Sequence, residues 1–235
     1  MDQFLNDMTN IEPVLCEVRH CFLHFVVIYF QLRVRGHRVE EVASPEGFEA
    51  NPELVFEFYN QRRRQVIDAL PNEGHLALAR LQDIFDVQIV TQNVDDLHER
   101  AGSHHVLHLH GEIRKAESTR NPKLVVEIEG SELGLGDAGP DGAQLRPNIV
   151  WFGEAVPMID PAMALMESAD IVVVVGTSLQ VYPAAGLIGY ARQDVPIHVV
   201  DPNSPLEGGG RVELHRCGAV EGLTQLERRW RSECG

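Results

Sequence analysis

Apolar residues along this chain fall mostly in continuous runs rather than in alternation. Runs at 22–30, 87–92, 106–109, 124–128, 148–152, 171–175 and 196–200 predict strands. Most are unbroken Val/Ile stretches, the pattern of strands covered on both faces. Between them the apolar spacing turns helical. NPELVFEFYNQRRRQVIDAL (51–70) opens with Asn51 as cap and Pro52 in the first turn. NEGHLALARLQDIF (72–85), PAMALMESA (161–169), YPAAGLIGYARQD (182–194) and about 220–232 predict four more helices. Strand alternating with helix predicts an α/β fold, a parallel sheet with helices on both faces and right-handed crossovers. Two segments break the rhythm, 37–70 and 112–146, and read as insertions that build a smaller lobe. The acidic, Gly-rich stretch 129–144 has the composition of a disordered loop.

Composition narrows the partners. With 20 Lys+Arg against 35 Asp+Glu, the formal charge of −15 argues against nucleic acid. It allows small ligands or basic peptide segments. The four cysteines, at 16, 21, 217 and 234, form no CxxC pair and no disulfide framework, so a reducing compartment is expected. Cys16, His20, Cys21 and His24 lack a second ligand group at zinc spacing and read as chance neighbours. The run 21–30 is too short to span a bilayer. Acidic residues (Asp2, Asp7, Glu12, Glu17) precede it instead of a basic signal or transit pattern. The expectation is a cytoplasmic protein without membrane contact, or a mitochondrial one if the true start lies upstream.

Chemistry concentrates at strand ends, where open α/β sheets bind ligands. DVQIVTQNVDDLHERAG (86–102) ends an apolar strand in Gln92, Asn93 and Asp95. VVVVGTSLQVYPAAG (172–186) places Gly176, Thr177 and Ser178 before a helix, suited to phosphate or ribose oxygens. VVDPN (199–203) puts Asp201 where a carboxylate can grip ribose hydroxyls. Three such ends argue for a nucleotide-sized ligand. In HVLHLHGE (105–112), His108 and His110 at i, i+2 share one face of a strand. They read equally as a metal pair with His98 as third ligand, as a general base beside Gly111, or as core histidine and turn. RPNIVWFGE (146–154) offers an aromatic wall, or a free backbone edge for an extended peptide.

Together TQNVDDLHERAG, HLHGE, RPNIVWFGE and GTSLQVYPAAG stand in the order and spacing of the sirtuins, the NAD-dependent protein lysine deacylases. The resemblance spans about residues 37–225. It implies a Rossmann-like sheet with a small lobe, and NAD as cofactor. It also implies attack of the acyl oxygen of a modified lysine on the nicotinamide ribose. The products are free lysine, nicotinamide and O-acyl-ADP-ribose, and the partners are acylated lysines of proteins. It implies His110, before the glycine, as base. Asn93 and Asp95 would assist, with Gln92, Asn93, Val94 and Asp95 lining the nicotinamide and ribose pocket. Gly176, Thr177 and Ser178 would meet phosphates and ribose, with Asp201, Pro202, Asn203 and Ala219 on the adenosine side. Val150, Trp151, Phe152, Gly153 and Glu154 would form the acyl-lysine tunnel and peptide-pairing strand. FEFYNQRRR (56–64) resembles the FYxxRR segment of the desuccinylase branch. Tyr59 and Arg62, at i, i+3, would then hold an acidic acyl group. On spacing alone, the arginines read as a solvated helix face.

Two departures from the family stand out. The glycine-rich loop GAGxSxxSGIPxFR, expected after the first strand, is absent, and Gly36 is the only glycine before Gly47. Residues 1–36 thus read as an atypical N-terminal segment ahead of the sirtuin-like domain 37–235, and weakened NAD binding is expected. Residues 112–146 contain no cysteine, so no zinc is expected. Three functions follow in order: a deacylase for succinyl, malonyl and some acetyl groups; an impaired remnant binding acyl-peptides or ADP-ribose-like ligands; and a metal hydrolase using His98, His108 and His110.

Overall fold

A computed structural model describes residues 24–29, 38–176, 184–204, 206 and 208–234. Its elements run from β1 (His24–Tyr29) through α1 (Val39–Val42), α2 (Pro45–Ala50) and α3 (Pro52–Asp68). Next come α4 (Glu73–Leu81), β2 (Asp86–Thr91), α5 (Leu97–Arg100) and β3 (Val106–His108). Strands β4 (Gly111–Ser118), β5 (Val125–Glu127) and β6 (Leu145–Ile149) precede α6 (Ile159–Ser168) and β7 (Ile171–Val175). A 3-10 helix (Ala184–Tyr190), β8 (Ile197–Val200), β9 (Val212–His215) and α7 (Ala219–Cys234) complete the order.

The main sheet has the order β3-β2-β1-β7-β8-β9, and every pairing within it is parallel. The direction in which successive strands are added reverses between β1 and β7. This is the doubly wound dinucleotide-binding order, whose ligands sit at the carboxyl ends around that switch. The all-apolar β7 is explained by its two neighbours. Ile171, Val173 and Val175 pack with α4 and α7 through Leu78, Leu81 and Trp230. Val172 and Val174 pack with α6 and the 3-10 helix through Met166 and Leu187.

Beside it β5-β4-β6 form an antiparallel sheet, packed with α1–α3 around Val55, Tyr59, Ile113 and Trp151 and around Phe56, Ala116 and Leu145. Helices α1–α3 and strands β4–β6 thus meet in one lobe. Helix α3 starts where expected, with Asn51 Oδ1 accepting from Leu54 N at 3.1 Å.

Several expectations are corrected. The strand expected at 148–152 lies at 145–149 and tolerates Pro147 because β6 is a sheet edge. Strand β4 was hidden by its charged sequence GEIRKAES, and β9 by its brevity. Residues 184–190 form a 3-10 helix instead of an α-helix; Gly186 and Gly189 disfavour the longer-range helical bond. The stretch 129–144 is built rather than disordered. Leu133 is buried, Asn60 bonds both its N–H and its C=O, and the Gln144 amide bonds the carbonyls of Gly134, Asp137 and Leu145.

Candidate active site

The carboxyl end of β2 carries the most unusual polar groups. Gln92 is 2% exposed. Its Nε2 and the Oδ1 of Asn93 are buried with no hydrogen-bond partner among the described residues. Two bonds hold the turn that follows: Asn93 N donates to Thr91 Oγ1 at 3.0 Å, and the Val94 carbonyl accepts from Ile113 N at 2.8 Å. Asp95 turns its Oδ1 to Leu97 N at 3.1 Å. Burial raises its carboxyl above the usual range, with His75 and His108 partly opposing.

The two histidines of HLHGE part company. Strand β3 ends at His108, and His110 sits in the turn to β4, so the shared-face reading does not hold. His108 has an acceptor at each ring nitrogen, the Asn93 carbonyl at 3.1 Å and Glu99 Oε1 at 2.7 Å. Burial disfavours its charge, but Glu99 and its neighbours outweigh burial and raise its pKa. An imidazole with an acceptor at each nitrogen is held in place from both sides, which makes His108 a strut. His110 is different: its Nδ1 is buried without a partner, and burial lowers its pKa, with the Gln92 backbone opposing. It stays neutral and able to take a proton. Its carbonyl ties it to Val150 N at 3.0 Å. Gly111 follows at φ +81°, where a Cβ would collide with the Asn148 carbonyl. His98 packs against His75, ring centroids 4.7 Å apart, and burial pushes it down to about 3. Among the described residues, His98, His108 and His110 do not converge as metal ligands, which removes the support for the hydrolase reading.

A cleft of about 1000 Å³ runs between β3 and the small lobe, lined by Leu107, Gly111, Asn148, Trp151 and Glu154 among others. Arg146 braces it, pairing with Glu117 at 2.7 Å and Glu154 at 2.8 Å and stacking on Trp151 at 4.1 Å. The free peptide-pairing edge is corrected. Val150, Trp151 and Phe152 all spend their N–H groups internally, on His110 O, Glu154 Oε2 and Ala43 O. Residues 150–154 form a turn with Gly153 at φ +91° and Phe152 exposed. Trp151 Nε1 donates to Tyr59 Oη at 3.1 Å, and burial pushes the phenol up to about 12. That bond uses the hydroxyl oxygen as acceptor. One helical turn on, Arg62 stacks on Phe58 at 3.6 Å, with no carboxylate within 4 Å among the described residues. Arg63 is not solvated at all. It is fully buried and bonds Ile113 O, Asn60 Oδ1 and Ser131 O.

On the far side of the switch, Gly176 ends β7 at φ +63°. Asp201 ends β8 and accepts from Asn203 N at 2.6 Å, with Pro202 between them, and Ala219 opens α7. All stand at the carboxyl edge of the sheet with Gln92 and Asn93. Thr177 and Ser178, and the segment 30–37 after β1, lie outside the described residues.

The Sir2 family profile matches residues 35–183. The chain belongs to the Sir2 family. A relative from Bacteroides thetaiotaomicron, named NAD-dependent protein deacylase, is 50% identical over 80% of this chain and 83% of its own. One of the same name from Helicobacter pylori is 53% identical over 72% and 73%. A solved Sir2 homolog–NAD complex superposes at TM-score 0.80 with 33% identity, covering 94% of this chain and 93% of that one. A Sir2 protein bound to an acetylated peptide superposes at TM-score 0.73 with 26% identity, over 94% and 96%. Sequence reasoning missed three supports of this Sir2 site: Glu99, which holds His108; Glu117, which holds Arg146; and His75, beside His98 and Asp95. Each lies far from its motif in sequence or on an element that looks merely helical.

Proposed function

We propose that this chain removes acyl groups from protein lysine side chains with NAD, releasing nicotinamide and O-acyl-ADP-ribose. We further propose that it prefers succinyl and malonyl groups, with some action on acetyl. The observation that carries the reading is a trio of buried polar atoms without partners among the described residues: Gln92 Nε2, Asn93 Oδ1 and His110 Nδ1. Unpaired buried groups are costly, and a ligand that bonds them removes that cost. An amide-bearing nicotinamide with its ribose matches them in chemistry. NAD supplies the reactive ribose carbon and the acceptor for the acyl group. Gln92, Asn93, Val94 and Asp95 would bind its nicotinamide half. Gly176, Thr177 and Ser178 would bind the phosphates, and Asp201, Pro202, Asn203 and Ala219 the adenosine half. His110 would take a proton from a ribose hydroxyl, kept neutral for that role by burial. Val150, Trp151, Phe152, Gly153 and Glu154 would wall the acyl-lysine.

The acyl preference rests on Arg62 and Tyr59. An acidic chain entering an apolar tunnel needs a charged partner. Arg62 is a half-buried cation without a carboxylate partner among the described residues, one helical turn from the Tyr59 hydroxyl. Mass spectrometry of succinyl- and acetyl-lysine peptides, with and without NAD, tests both levels. His110→Ala is expected to abolish NAD-dependent turnover of either. Arg62→Met is expected to lower kcat/KM for succinyl by ~10- to 100-fold, the worth of a charged hydrogen bond, and to leave acetyl within about threefold. Equal losses on both peptides would refute the acyl preference. A second reading, a non-turning remnant, is favoured by the missing glycine-rich loop; folded protein that binds ADP-ribose but never releases nicotinamide would establish it.

A further inference from the structure

On the opposite flank of the main sheet from His110, edge strand β9 lies parallel to β8, with His198 facing Glu213 and Val200 facing His215. Three side chains converge there. His198 Nδ1 is 3.3 Å from His215 Nε2 and 3.3 Å from Glu213 Oε2, and His215 Nε2 is 3.6 Å from Glu213 Oε1. These spacings are long for hydrogen bonds, which centre near ~2.9 Å. They match the ligand–ligand edge of a tetrahedral zinc site, ~3.3–3.4 Å for bonds of ~2.0–2.1 Å. We propose that His198, Glu213 and His215 form a binding site for a zinc-class divalent cation, with water in the fourth position.

Two imidazoles and one carboxylate select zinc, copper or nickel over magnesium or calcium. Burial favours the neutral, ligating form of both rings. Glu213 is half-exposed, which gives a cation and its water an entry side. Arg229 now donates to both Glu213 oxygens, at 2.9 and 3.1 Å, and also to Glu233 at 3.0 Å. Its second carboxylate lets it yield one Glu213 oxygen without losing its ion pair. The site differs in place and ligands from a cysteine zinc of the small lobe, and it departs from the expectation that the chain takes no metal. A cation here would staple the edge strand to β8. It would also fix the Asp201 turn, whose N–H donates to the His215 carbonyl at 3.1 Å.

The test is zinc chloride titrated into the metal-stripped full chain, followed by calorimetry and by thermal melting, with magnesium as control. Wild type is expected to bind one more equivalent than His215→Ala or Glu213→Gln, and to gain several degrees of Tm that both variants lose. Far-UV circular dichroism verifies that the variants fold. Copper adds a local probe, because the His198 ring lies 5.3 Å from the Trp230 ring; quenching of Trp230 emission should disappear in His215→Ala. Equal zinc stoichiometry and affinity in wild type and both variants would overturn the proposal, as would no binding by wild type.

Discussion

At the scale of single residues, the decisive contrast is between His108 and His110. They are two positions apart and alike in sequence. His108 is fixed between Asn93 O and Glu99, while His110 keeps a buried ring nitrogen without a partner. Their titrations move in opposite directions, His110 below and His108 above the ordinary imidazole value. A base must be deprotonated, so activity should fall as pH drops through the pKa of the true base. With His110 in that role, the acid limb of kcat/KM should lie below about 6.5. A limb above the ordinary imidazole value would point to His108 instead. The motif HLHGE was legible in the chain, but not which histidine is the strut, because that depends on Glu99 reaching across from α5.

At the scale of elements, α3 shows how one helix serves two purposes. Its neighbouring arginines face different surroundings. Arg62 keeps its cation beside Tyr59, and Arg64 pairs with Glu57 and Glu132 near the surface. Arg63 is driven inward, where burial lowers it to about 10, still charged at neutral pH. It binds α3 to β4 and to the 131–133 loop. Arg63→Met would leave the Ile113 and Ser131 carbonyls short of a donor, at about 1–3 kcal/mol per buried group, while Asn60 Oδ1 keeps Leu133 N. A loss of about 3 kcal/mol or more is expected in urea unfolding, with little change for Arg64→Ala. A small effect at Arg63 would mean that water replaces the guanidinium. Helix α3 and its Asn51 cap were readable from local pattern. The loop it anchors was not, because polar composition does not reveal a buried arginine that will bond its carbonyls.

At the scale of the whole molecule, the sheet order brings the ends of β2, β7 and β8 to one edge, with the turn after β3 beside them. The chain lacks the glycine-rich loop that its family resemblance leads one to expect after β1. Two lost phosphate hydrogen bonds at ~1.5 kcal/mol each correspond to ~100-fold in affinity. Calorimetry should therefore find NAD binding about 100-fold weaker than in a Sir2 relative that carries the loop; equal affinity would mean that other backbone donors replace it. The sequence by itself determined the alternation of strands and helices, the covered sheet and the residues at strand ends. Those features are set by local periodicity, caps and turn residues, which neighbours in the chain impose on one another. Only the tertiary structure decided which buried polar atoms stay without partners, which arginine is internal, and that His198, Glu213 and His215 meet. Those outcomes depend on contacts between residues far apart in sequence, where burial and the nearest partner set the energy of each group.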